Sequence, residues 1–268
     1  MLGTITADVK TLSVDDCKAL LGKNPRNRRL DRGKVESYSR DMASGNWMLN
    51  GESICIDWNG DLINGMHRLN SAVKAKKPLT SVLVQGLNPK VIKTIDSGKK
   101  RTFSNQLEMD GVKNAKSIST CIQFLYQVSR HAIKASGLTN SEMYDLLEKH
   151  PGIIQSVELC KNVFQPVQSW LPAVHYIGCY LDQQDDASLF VQIYRDGQKT
   201  YEDDPVVFAR EFFIKDAMRQ KRADIDFRRR LFLKSWHMLV ERRPLKRANV
   251  DKTFGVKGFL AEDFTPNA

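Results

Sequence analysis

Five consecutive residues, Asn64-Gly65-Met66-His67-Arg68, combine side chains that phosphate chemistry uses. Gly65 lets backbone approach a ligand with no side chain in the way. The residues after it read as the start of a helix, where free N–H groups and a partial positive charge attract anions. Arg68 can fork onto phosphate oxygens. His67 can donate one hydrogen bond or take up a proton near neutral pH. By spacing alone the stretch fits a phosphate cradle, and equally an ordinary Asn-Gly turn ahead of a helix with a surface arginine.

A second basic cluster, Asp96-Ser97-Gly98-Lys99-Lys100-Arg101, follows downstream. Lys100 and Arg101 can reach a polyphosphate tail, and Asp96 can hold Arg101 or a metal. Read blandly, the cluster is a charged loop between domains. Phosphoryl chemistry usually needs a divalent ion bridging phosphate oxygens. No rigid metal motif is present, so Mg²⁺ would be held by nucleotide and one carboxylate.

Elements must position these residues. Ser13-Val14-Asp15-Asp16 caps a short helix that ends at Gly22. Val35, Tyr38 and Met42 have helical spacing, with a stop at Gly45. Ile54 and Ile56 alternate with Ser53, Cys55 and Asp57 as in a strand. Asn59-Gly60 predicts a type I′ hairpin, with Leu62 and Ile63 returning. A helix over His67–Ala75 turns Leu69, Ala72 and Val73 inward, and Val82–Val84 form a strand closed by Gly86. Residues 88–107 predict a short helix, a turn and a further helix start. Beyond Lys113 no strand is legible. Ile118, Ile122, Leu125 and Val128 form a helical stripe, and Thr139 and Glu142 form a capping box. Further helices are expected near 152–164, 168–182, 186–197, 205–221 and 225–241. The fold class is therefore α+β, with a small mixed α/β domain over residues 1–110 and an all-helical, basic domain over residues 111–268.

The 268-residue chain carries a net charge of +10, unevenly placed. From Arg210 to Lys257 there are 15 Lys or Arg against 6 Asp or Glu. Clustered positive charge is the footprint of a polyanion partner, DNA or RNA above all, and otherwise of a solubility face. The expected contacts are Arg228, Arg229, Arg230, Arg242, Arg243, Lys246 and Arg247. Phe208, Phe212 and Phe213, and Phe227, Phe232 and Trp236, read as core. So does His175 on its apolar helix. Five widely spaced cysteines with no C-x-x-C pair suggest buried thiols in a reducing cytoplasm. No apolar run of about 18 residues and no secretory leader is seen, so no membrane partner is expected.

The stretch from Asn64 to Arg68, continued by Leu69 and Ala72, resembles the phosphate-binding box of the ParB/sulfiredoxin-like fold. Residues 24–110 resemble a group of ParB-like proteins common in phages and mobile elements, which would place the chain in a bacterial host cytoplasm. Members of the fold bind ATP or CTP through this box. Some hydrolyse nucleotide, some transfer phosphate, and some cut or clamp DNA. Sulfiredoxins carry a catalytic cysteine directly before the His-Arg pair. Met66 stands there in this chain, which excludes sulfinic-acid repair. Partition proteins have an arginine where this chain has His67, followed by a helix-turn-helix that is not evident here. Free serine kinases of the fold share the Gly-x-His-Arg form and use a carboxylate base. Glu52 is the better candidate for that role and Asp57 the second, with His67 the third catalytic candidate. Asn27 and Arg28 match an Asn-Arg pair ahead of the first domain helix.

The resemblance implies a nucleoside triphosphate (ATP or CTP) with Mg²⁺ as cofactor and DNA or RNA as partner, in a monomer or homodimer. It leaves open an NTPase, nuclease or phosphotransferase acting with DNA, a non-catalytic module that grips backbone phosphate, and a small-molecule kinase.

Overall fold

A computed structural model describes residues 4–23, 30–95, 101–133, 137–163, 167, 169–250 and 252–266. The chain divides into two compact units. The first holds Met1–Lys100 with Ser136–Glu142 and Asn267–Ala268, and the second holds Arg101–Ala135 and Met143–Pro266. Among the described residues no helix is long and apolar enough to cross a membrane.

Among the described residues the first unit is a four-stranded sheet in the order β1-β4-β2-β3 with three α-helices and a short 3-10 helix at Pro89–Lys93. Strand β1 (Thr6–Leu12) runs antiparallel to β4 (Leu79–Leu87). Strand β2 (Ser53–Asp57) is parallel to β4 and antiparallel to β3 (Leu62–Asn64). Cys55 pairs with Asn64 and Ile56 with Leu62, so Ile63 is the extra residue of a bulge. Ile54, Cys55 and Ile56 are all buried, as a central strand requires.

Helix α1 (Val14–Gly22) starts at a capping box: the Asp16 amide donates to Ser13 Oγ at 3.1 Å, and the Ser13 amide donates to Asp16 Oδ2 at 2.9 Å. Helix α2 (Arg32–Ala43) is capped by Asp31, whose Oδ1 accepts from the Lys34 amide at 3.1 Å. Helix α3 (Met66–Ala75) packs on both. Where α2 meets α3, the buried Ser71 Oγ lies 2.7 Å from the His67 carbonyl and 3.1 Å from the Val35 carbonyl, so its one proton has an acceptor on either helix. Leu12, Cys17, Met42, Ile54, Ile56, Leu62, Leu69, Ala72, Leu79 and Leu83 make the core of this unit.

Residues 137–142 complete it. Glu142 accepts two hydrogen bonds from Arg40, at 2.5 Å from Nε and 3.0 Å from Nη2. It also accepts the Thr139 amide at 2.8 Å, while the Thr139 hydroxyl donates to Asp41 Oδ1 at 2.7 Å. The expected capping box at Thr139 is present and doubles as a strap onto α2.

Several sequence expectations need correction. Strand β1 was not foreseen, because six of its seven residues are exposed and its pattern is polar. Gly86 lies inside β4 and does not end it. The hairpin is not type I′: Gly60 has φ +86°, but Asn59 is absent from the positive-φ residues. Instead a three-residue loop closes with the Gly60 amide on the Asp57 carbonyl and the Asp57 amide on the Asp61 carbonyl.

The second unit is helical: α4 (Phe103–Met109), α5 (Ala115–Ser129), α6 (Asn140–Lys149, its first turn counted with the first unit), α7 (Gly152–Leu159), α8 (Leu171–Tyr180), α9 (Gln184–Asp196), α10 (Pro205–Ala217) and α11 (Ile225–Val240). Asp204 caps α10 through the Val206 and Val207 amides, with Pro205 in its first turn. Phe190, Tyr194, Phe213, Phe232 and Trp236 are fully buried. Helix α4, expected in the first domain, belongs here: Phe103 is buried and meets Tyr144 edge-on at 4.9 Å.

Candidate functional site

The loop at Asn64–Arg68 is built around a close approach. Gly65 sits at φ +105°, and a Cβ there would lie 2.9 Å from Ile54 Cγ1 and 3.4 Å from its Cα. Only glycine meets both demands. Asn64 Oδ1 accepts the Gly65 amide at 2.7 Å, which holds the turn. Gly65 is the N-cap residue of α3 and offers no side-chain cap, and the Leu69 amide makes the first intrahelical bond to the Gly65 carbonyl at 3.0 Å. The first-turn amides of α3 are thus left to a neighbour other than a capping side chain.

His67 is buried, and its Nε2 accepts the Asp31 amide at 3.0 Å. An accepting Nε2 carries no proton, so the ring is neutral with its proton on Nδ1. His67 thereby ties the start of α3 to the start of α2. Asp31, missed in the sequence reading, positions His67; the signal was an N-cap aspartate directly ahead of the helical stripe.

Arg68 is also buried. Its Nη1 donates to the Glu52 carbonyl at 2.6 Å and its Nη2 to the Ser53 carbonyl at 2.7 Å. The fork expected to hold phosphate grips the start of β2 instead. The charge still lies behind the loop, one turn into α3. Glu52 has an exposed side chain next to this anchor, and its carbonyl also accepts Ser81 Oγ at 3.1 Å.

Asp57 lies at the far end of β2, about 13 Å along the strand from Ser53. Its Oδ1 accepts the Asn59 and Asp61 amides, each at 2.9 Å. The role expected of it as a base is replaced by that of a buried turn former. Asn27, Arg28, Asp96 and Lys100 lie outside the described residues. Arg101 is exposed ahead of α4 and belongs to the second unit. The structure therefore brings together Asn64, Gly65, His67, Arg68 and the start of β2 at Glu52. Among the described residues no three His, Cys, Asp or Glu side chains are placed to hold a metal ion.

The basic C-terminal residues divide differently from expectation. Arg228 is in the core: it pairs with fully buried Asp216 at 3.2 Å and lies over the Trp170 and Phe213 rings. Burial lowers its pKa, opposed by Asp216. Arg229 is half-buried, and burial lowers its pKa as well, against the pull of Asp226. Arg230 holds the Lys252 and Thr253 carbonyls. Arg242 pairs with Asp186 at 2.6 Å, Arg243 with Glu241 at 3.0 Å and Lys246 with Asp203 at 2.8 Å. Arg247 is exposed. Arg228 is held in the core, which does not fit the expected phosphate contact, and Arg230 is partly exposed with its Nη1 on the 252–253 backbone. His175 is buried as expected, its Nδ1 2.9 Å from Ser156 Oγ, and burial lowers its pKa.

No family model, curated protein or solved structure matches the chain.

Proposed function

We propose that the Asn64–Arg68 loop binds the phosphates of a nucleoside triphosphate, ATP or CTP with its Mg²⁺, in a protein that associates with DNA or RNA. The observation that carries this reading is the start of α3, which Gly65 heads at φ +105° with no side-chain cap on the first-turn amides. A side-chain-free, positively polarised backbone turn is what a phosphate group requires. The cation of Arg68, one turn behind, adds to the field. Mg²⁺ would enter with the nucleotide, held by its phosphates and at most one carboxylate such as Glu52.

Within this reading, binding is better supported than turnover. Asp57 closes the hairpin and His67 Nε2 accepts the Asp31 amide, so two of three catalytic candidates have structural partners. A ParB-like module that grips phosphate fits these partners best. The NTPase, nuclease or phosphotransferase reading rests on Glu52 alone. Calorimetry with ATP, CTP and GTP plus Mg²⁺ tests the site on the wild type and on Asn64→Asp. That variant keeps the acceptor for the Gly65 amide and adds one negative charge where phosphate would sit. Wild-type binding that weakens by about tenfold or more in Asn64→Asp is the expected result. Absence of nucleotide binding, or equal affinity in the variant, refutes it.

A further inference from the structure

Within the basic Arg210–Lys257 segment, the densest group of exposed cations lies ahead of the residues expected to make contact. Between α10 and α11 the chain reads Met218-Arg219-Gln220-Lys221-Arg222, and every one of these residues is exposed. Arg219, Lys221 and Arg222 have no ionic partner among the described residues, in contrast to Arg242, Arg243 and Lys246.

The acids around this turn are already engaged. Asp216 is fully buried, pairs with Arg228 at 3.2 Å and accepts the Ala223 amide at 2.7 Å. Asp224 caps α11, its Oδ1 accepting the Asp226 and Phe227 amides at 2.9 and 3.3 Å. Glu211 lies 3.8 Å from Lys215. The turn is therefore a basic finger, fixed at its base by a buried ion pair and carrying three outward cations within four residues. Arg219 lies over the Phe212 ring at 6.0 Å, and Phe212 tilts onto Phe227 at 5.8 Å. Both rings are partly buried and brace the base of the turn. Met218, 81% exposed, adds an apolar edge.

We propose that this α10–α11 finger is the nucleic-acid contact, with Arg219, Lys221 and Arg222 on successive backbone phosphates and Arg219 braced on the Phe212 ring. Cations spaced along one turn suit a phosphodiester chain, whose charges recur regularly. The proposal rests on the nucleic-acid half of the functional reading and is independent of the phosphate loop.

The test is fluorescence anisotropy of the full chain, without nucleotide, with a short labelled duplex and the matching single strand across a salt series. The finger variant combines Arg219→Gln, Lys221→Gln and Arg222→Gln, all exposed, so the fold is kept and circular dichroism checks it. The control combines Arg242→Gln and Arg243→Gln. The finger variant should bind at least about tenfold more weakly, and its plot of log affinity against log salt should be shallower by about three. The control should stay within about twofold of wild type. Unchanged binding by the finger variant overturns the proposal, as does a wild type that binds neither strand. Finger-dependent binding to anionic phospholipid vesicles in place of nucleic acid also overturns it. Nucleotide calorimetry reads the loop and this assay reads the finger, so either can fail alone.

Discussion

Replacing Arg68 by Ala is the obvious probe of a phosphate site, and here it should act first on stability. The guanidinium makes two charge-assisted hydrogen bonds, to the Glu52 carbonyl at 2.6 Å and the Ser53 carbonyl at 2.7 Å. Such bonds contribute roughly 1.5–3 kcal/mol each. The Glu52 carbonyl keeps Ser81 Oγ at 3.1 Å, so its loss is partly offset. The Ser53 carbonyl loses its guanidinium, and truncating a buried side chain leaves a void. The sum is a loss of about 2–4 kcal/mol from the first unit. Urea unfolding followed by circular dichroism should show its midpoint lowered by about 1–2 M for a unit of this size. Arg68→Lys should recover only part, since an ammonium cannot span both carbonyls in a planar fork. If Arg68→Ala unfolds like the wild type and yet loses nucleotide, the guanidinium serves the ligand and the anchoring argument is wrong.

Gly65→Ala should cost about 2–4 kcal/mol, from a φ foreign to L side chains and a Cβ 2.9 Å from Ile54, read by the same unfolding assay. Glu142→Ala removes a buried carboxylate that accepts three hydrogen bonds from Arg40 and Thr139. Arg40 is 28% exposed and can recover some hydration, so the expected loss is about 2–3 kcal/mol, with residues 137–142 becoming open to proteolysis. In the second unit, burial is the main cause that lowers the pKa of His150 and His175. Their folded values lie below 6.5, so the unfolded chain binds more protons there, and stability must fall as pH drops below about 6.5. His150→Gln with His175→Gln should flatten that slope in thermal unfolding measured from pH 5 to 7; an unchanged slope would show that other groups set it.

Reading residues by type succeeded where the physics is local and failed where the partner is backbone or distant. The Asn64–Arg68 loop was legible because Gly65 and the helix start are local signals. That Arg68 faces inward was not, since its partners are two carbonyl oxygens, which carry no residue signature. Asp57 looked like a base because a carboxylate near a loop invites that role, yet an aspartate beside Asn59-Gly60 is also a natural turn former. Arg228 was grouped with its neighbours as a surface charge; its partner Asp216 lies on the preceding helix, beyond what charge counting resolves. Strand β1 escaped because an exposed edge has no need of alternation. The change of texture near Lys113 marked where strands cease, while the packing boundary precedes α4, whose Phe103 and Leu107 are buried.

The strap from Thr139 to Glu142 also sets a clock. Arg40 and Glu142 are 102 residues apart, and the chain between them includes β2 to β4 and then α4 and α5. A ribosome adding roughly 5–20 residues per second finishes the last strand of the sheet several seconds before Glu142 is made. During that interval the Arg40 guanidinium has no carboxylate from Glu142, and the side of α2 that the strap covers is open to water. The first unit is therefore born incomplete, and its final closure waits on a stretch of chain encoded well after its own sheet.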